Sequence, residues 1–116
     1  MSISYEGIGE WCATFGCGKV KEGDVVKVSA NGSADACGAG DSFCGVVRAI
    51  ARDGKACSVQ LGGIATVNYS GENAPIPGYG KLSADAAGGV SVDASKGREY
   101  LILAADSAAK TVTIKL

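Results

Sequence analysis

The sequence contains no histidine, only two prolines and only seven aromatic residues. Without histidine, the Cys-His and Ser-His pairs that activate most protein nucleophiles cannot form. A basic surplus is also missing: 11 lysines and arginines face 12 aspartates and glutamates, for a formal charge of -1. Nothing therefore offsets a phosphate backbone, and nucleic-acid binding is not expected. Long apolar runs are absent too. The stretch from Tyr100 to Ala105 is among the longest and falls far short of the roughly 20 residues of a membrane-spanning helix, so no membrane partner is expected. Met1 to Cys12 shows no basic segment followed by an apolar one, which leaves synthesis in a reducing cytoplasm as the default expectation.

The five cysteines, at positions 12, 17, 37, 44 and 57, are odd in number and contain no Cys-x-x-Cys spacing. Structural zinc sites favour paired short spacings, so these thiols read as small buried hydrophobes and no metal or other cofactor is expected. The glycine-rich stretches fail as phosphate loops. Gly18-Lys19 lacks the earlier Gly of the Walker pattern, and Gly7-Ile8-Gly9, Gly16-Cys17-Gly18, Gly38-Ala39-Gly40 and Gly78-Tyr79-Gly80 lack the third Gly of the dinucleotide fingerprint. The aspartates lie at strand starts or turns, where their side chains bond nearby backbone amides. No catalytic residue is nominated, and the chain is expected not to be an enzyme.

What is abundant is glycine, 18 residues, about twice the usual share of ~7%. Helical periodicity is nearly absent, whereas short β-rich segments bounded by turn residues recur. They are Trp11 to Phe15, Asp24 to Ser29, Phe43 to Ala51, Lys55 to Leu61, Ile64 to Tyr69, Gly80 to Ala84, Gly89 to Val92, Arg98 to Ala105 and Lys110 to Leu116. This pattern predicts an all-β fold, a small antiparallel barrel or sandwich of about nine short strands. Alternation places Val112, Ile114 and Leu116 on the buried face of the last strand, Phe43, Val47 and Ala49 on that of the third, and Cys57, Val59 and Leu61 on that of the fourth. The Arg98 segment is apolar on both faces after Glu99 and reads as a central strand covered on two sides. Asn31-Gly32, Asp53-Gly54 and Gly88-Gly89 predict type I′ hairpin turns. Gly62-Gly63 predicts a tight turn or a bulge that switches sheets, and Ser70 to Gly80, with Pro75 and Pro77, is the one long connection.

Residues 1–18 stand apart, because Gly7, Gly9, Gly16 and Gly18 punctuate a stretch holding Tyr5, Trp11 and Phe15. The segment is expected to be either an edge strand or an extended arm that docks on a partner, with residues 19–116 forming the single domain. Tyr69 and Tyr79 beside the proline loop are the candidates for a ligand-stacking surface, which would make the chain a carbohydrate- or peptide-binding module.

The order of several segments is similar to that of the small capsid decoration, or cement, proteins of tailed bacteriophages and prophages. The resembling parts are Lys21-Glu22-Gly23-Asp24-Val25-Val26-Lys27-Val28-Ser29, Gly40-Asp41-Ser42-Phe43-Cys44-Gly45-Val46-Val47 and Val59-Gln60-Leu61-Gly62-Gly63-Ile64. They continue through Gly78-Tyr79-Gly80-Lys81-Leu82 to Glu99-Tyr100-Leu101-Ile102-Leu103 and Lys110-Thr111-Val112-Thr113-Ile114. The resemblance implies a structural virion protein, bound to the outside of the phage head at junctions between subunits of the major capsid protein, often as a trimer. It also casts Tyr5, Trp11 and Phe15 as capsid contacts. The five cysteines depart from what that family leads one to expect.

Overall fold

A computed structural model describes residues 11–116. Every regular element among them is a strand: β1 Trp11–Cys17, β2 Val25–Ala30, β3 Ser33–Ala36, β4 Gly45–Ile50, β5 Ala56–Gly62, β6 Ile64–Asn68, β7 Gly78–Ala84, β8 Val90–Val92, β9 Arg98–Asp106 and β10 Thr111–Lys115. The first five close into a barrel in the order β1-β3-β2-β4-β5, and the last five form a sheet in the order β6-β10-β9-β7-β8. The all-β expectation therefore holds, with ten described strands in place of about nine. The unforeseen one is β3, whose Ser-Ala-Asp-Ala sequence has little β propensity; pairing with β2 on one side and β1 on the other makes it a strand.

Strand β1 is neither an arm nor an edge. It pairs antiparallel with β5 from Trp11↔Gly62 to Gly16↔Ala56 and parallel with β3 at Gly16↔Ser33 and Cys17↔Ala34. The division expected at residue 18 consequently falls inside the barrel for residues 11–17, while residues 1–10 lie outside the described part. The three hairpins form, but not through type I′ turns, which need left-handed backbone at both central residues. At the first two tips only Gly32 and Gly54 have positive φ. The second tip is longer than two residues, closed by Gly54 N–H to Ala51 O at 2.9 Å and Ala51 N–H to Ala56 O at 2.8 Å.

Two apolar clusters follow from the alternation of side chains. Val26, Ala34, Val47, Cys57 and Val59 face one another inside the barrel with Phe15 and Leu61 against them. Val25 and Val46 point the opposite way and join Leu82, Val90, Tyr100, Ile102, Val112 and Ile114 of the second sheet. The Val25-Val26 and Val46-Val47 doublets are thus buried on both faces, because the second sheet covers the barrel there. Burying each such side chain contributes about 1.5–3 kcal/mol. Ala49, expected in the core, is exposed instead: the β4–β5 register shifts between Val47 and Ala49, and that bulge turns the end of β4 outward. Strand β9 is central, as expected, but only one face is buried; Leu101 and Leu103 on the other are half-exposed.

The sheets join at a corner of one residue. Strand β5 ends at Gly62, β6 begins at Ile64, and Gly63 between them has φ +87°, a conformation glycine adopts without steric cost. Gln60, expected on the wet face of β5, is fully buried here. Its Nε2 donates to Gly62 O at 2.9 Å and Ile64 O at 3.0 Å, so one side chain holds both sides of the corner. A second tie runs from the loop before β4 to β9. Phe43 stacks on Tyr100 with ring centroids 4.7 Å apart, and the Tyr100 hydroxyl donates to Phe43 O at 2.7 Å.

Two substitutions test these ties. Gln60→Leu keeps the volume but orphans two carbonyls, and Tyr100→Phe orphans one; each should lose about 1–3 kcal/mol in a denaturant titration. An unchanged midpoint in either variant would show that its bond carries no net stability.

Candidate functional site

The long connection after β6 builds a concavity on the surface. Ser70 N–H donates to Val90 O at 2.9 Å, and Lys110 Nζ donates to Gly71 O at 3.0 Å, which pin the start of the loop. Pro75 and Pro77 have no N–H to offer a ladder, so the chain passes over the sheet without joining it. Gly78, at φ +110°, then turns it into β7. Beneath the loop lies a mostly apolar groove of about 560 Å³, lined by buried Pro75, Leu82 and Ile102 and by exposed Ile76 and Tyr79, with Glu72, Asn73 and Lys81 among its polar neighbours. Gly80 also lines it, and a Cβ there would lie 3.0 Å from Ile102 Cδ1. Ile76 is 77% and Tyr79 74% exposed, with Val92 beside them also open to solvent. Large apolar residues gathered in this way mark an interaction surface more often than scattered ones do.

The residues nominated from sequence meet different fates. Tyr5 lies outside the described residues. Trp11 is 69% exposed at the start of β1, its ring against Gly62. Phe15 packs into the barrel interior and is half-buried, so packing is its visible role. The stacking surface proposed for Tyr69 and Tyr79 does not form as a pair. Tyr69 is buried with Lys110 Nζ 4.8 Å from its ring centroid, and only Tyr79 presents its ring to solvent. Sequence alone offered Tyr79 but not the groove, whose walls come from a loop, two strands and a distant Ile102.

The polar clusters act within the fold. Lys27 Nζ meets Asp41 Oδ2 at 2.6 Å, and the same carboxylate oxygen accepts from Gly38 N–H at 2.8 Å, closing the loop before β4. The Lys27 bond and the Gly38 amide hold the Asp41 carboxyl below its usual value, and Asp41 in turn raises Lys27 above its own. Asp93 is likewise lowered, first by the Lys96 amide and then by the Ser83 hydroxyl. Among the described residues, no cluster of three or more Cys, Asp or Glu is placed to hold a metal ion, and no helix is long and apolar enough to cross a membrane. Burial pushes the Cys37 thiol up to about 11, with the Asp41 charge adding to it. Burial, then contact with Cys17, pushes Cys57 up to about 11 as well, and burial raises Cys44.

Two outcomes follow. Thiolate is the reactive form, so in native protein near neutral pH exposed Cys12 should be alkylated first and buried Cys57 last, as read by peptide mass mapping; rapid labelling of Cys57 would contradict the placement. Asp41 and Asp93 have folded-state values below the ordinary 3.8. Their contribution is therefore complete above that value and lost as pH falls through the lower folded values, whereas that of Lys27 is complete below 10.5 and lost as pH rises beyond it. Asp41→Asn should flatten the stability profile at both ends, and an unchanged acid limb and alkaline limb would refute the assignment. In comparisons with known proteins, no family model and no curated protein matches the chain.

Proposed function

We propose that the protein is a structural component of a virion that binds the outer surface of a phage head and strengthens contacts between major capsid subunits. The observation that carries this reading is the exposed apolar set around the proline loop, Ile76, Tyr79 and Val92, set on a rigid two-sheet body. The order of sequence segments supports it independently. The mechanism is mechanical. A shell under pressure from packaged DNA fails where its subunits separate, and a β body bridging two subunits adds contact area that must be lost first. A protein that binds only the expanded lattice stabilises that lattice by mass action. Ile76 and Tyr79 supply the apolar anchors, exposed Trp11 a third, and assembly as a trimer would present several copies of each at one junction.

A second reading has one observation in its favour. The groove beside Pro75 and Pro77 has a mostly apolar lining with a single tyrosine, Tyr79, which favours a peptide ligand over a sugar.

The deciding experiment mixes purified protein with expanded capsids that lack it and measures co-sedimentation. The expected result is saturation at a fixed number of copies per shell, with Ile76→Lys and Tyr79→Lys each costing about 2 kcal/mol as interface anchors do, roughly thirtyfold in affinity. Absence of saturable binding by the wild type would remove the proposal.

A further inference from the structure

The tip between β2 and β3 carries a chemistry that neither its turn role nor the proposed function uses. Asn31 and Gly32 are both exposed. Gly32 has φ +69°, and no atom lies within 4 Å of where a Cβ would stand, so the backbone on this side is open. The same tip belongs to the barrel's seam. The Gly32 carbonyl accepts from Gly16 N–H at 2.8 Å, directly beside the two-residue parallel pairing of β1 with β3 at Gly16↔Ser33 and Cys17↔Ala34.

We propose that Asn31 is a self-modification site, converting through intramolecular attack by the Gly32 amide to isoaspartate, and that this conversion loosens the seam between β1 and β3. The Gly32 nitrogen gives up its proton and forms a bond to Asn31 Cγ. The Cγ–Nδ2 bond breaks, ammonia leaves, and a five-membered succinimide remains. Water then opens the ring. Attack at Cγ yields aspartate, and attack at the main-chain carbonyl of residue 31 yields isoaspartate, in which Gly32 is joined through the former side chain. The balance is one water consumed and one ammonia released, with no oxidation or reduction. Glycine is the favourable successor because its nitrogen approaches Cγ without a Cβ in the way. The isoaspartyl product lengthens the main chain by one methylene at the tip of a two-residue connection, which displaces the Gly32 carbonyl from Gly16 N–H. Both products add one negative charge, but only isoaspartate changes the backbone.

The chain supplies its own controls. Asn68 is followed by Tyr69 and sits in the β6 ladder opposite Thr111, and Asn73 is exposed but followed by Ala74. Native full-length protein is held at mildly alkaline pH, and amide loss at each asparagine is followed by peptide mass spectrometry, with isoaspartate detected by enzymatic methyl transfer. Asn31 should lose its amide an order of magnitude faster than Asn73, mostly to isoaspartate. The isoaspartyl fraction should lose hydrogen-exchange protection at Gly16, whereas Asn31→Asp, which carries the charge on a normal backbone, and aged Asn31→Gln should retain it. Equal rates at Asn31 and Asn73 would overturn the proposal, as would isoaspartate at Asn31 with Gly16 still protected.

Discussion

The corner at Gly63 decides the shape of the molecule. A chain that ends one strand at residue 62 and begins the next at 64 has no loop in which to recover from an error of direction. The turn is fixed by a left-handed glycine and by Gln60, whose amide holds the carbonyls on both sides. Gln60 is buried to do this, and its Oε1 has no partner among the described residues. Leaving a buried acceptor unpaired costs about 1–3 kcal/mol, and the two donated bonds offset that cost. From this corner the second sheet is launched back across the barrel, where Val25 and Val46 meet Ile102, Val112 and Ile114.

The same geometry leaves the barrel dependent on the sheet. Val25-Val26 and Val46-Val47 present an apolar side chain to each face, so a barrel stripped of its cover would expose half of each doublet. Gly45 shows how close the strands run at this place: a Cβ there would collide with Gln60 O and lie 2.7 Å from Val59 Cγ1.

Much of this was legible in the residues. The strand set, the central place of β9, the one long connection and the abrupt break at Gly62-Gly63, read as either a tight turn or a sheet-switching bulge, all follow from alternation and turn chemistry, which act over a few neighbours. What was not legible depended on distant partners. Strand β3 is made a strand by β1 and β2, and the burial of Gln60 is set by a corner its own alternation does not announce. The bulge that exposes Ala49 is a mismatch between two strands and is invisible in either one. The groove gathers Pro75, Tyr79, Leu82 and Ile102 from separate segments, so sequence could single out Tyr79 yet wrongly pair it with Tyr69, whose ring is turned into the core.

The central claim is that barrel and sheet are one cooperative body joined at the Gln60 corner. Equilibrium denaturation tests it most directly when followed by two probes: emission from Trp11, the sole tryptophan, for the barrel, and hydrogen exchange at the Val112 and Ile114 amides for the second sheet. The account predicts coincident transitions with one midpoint, and a sheet that unfolds at lower denaturant while Trp11 still reports a native barrel would contradict it.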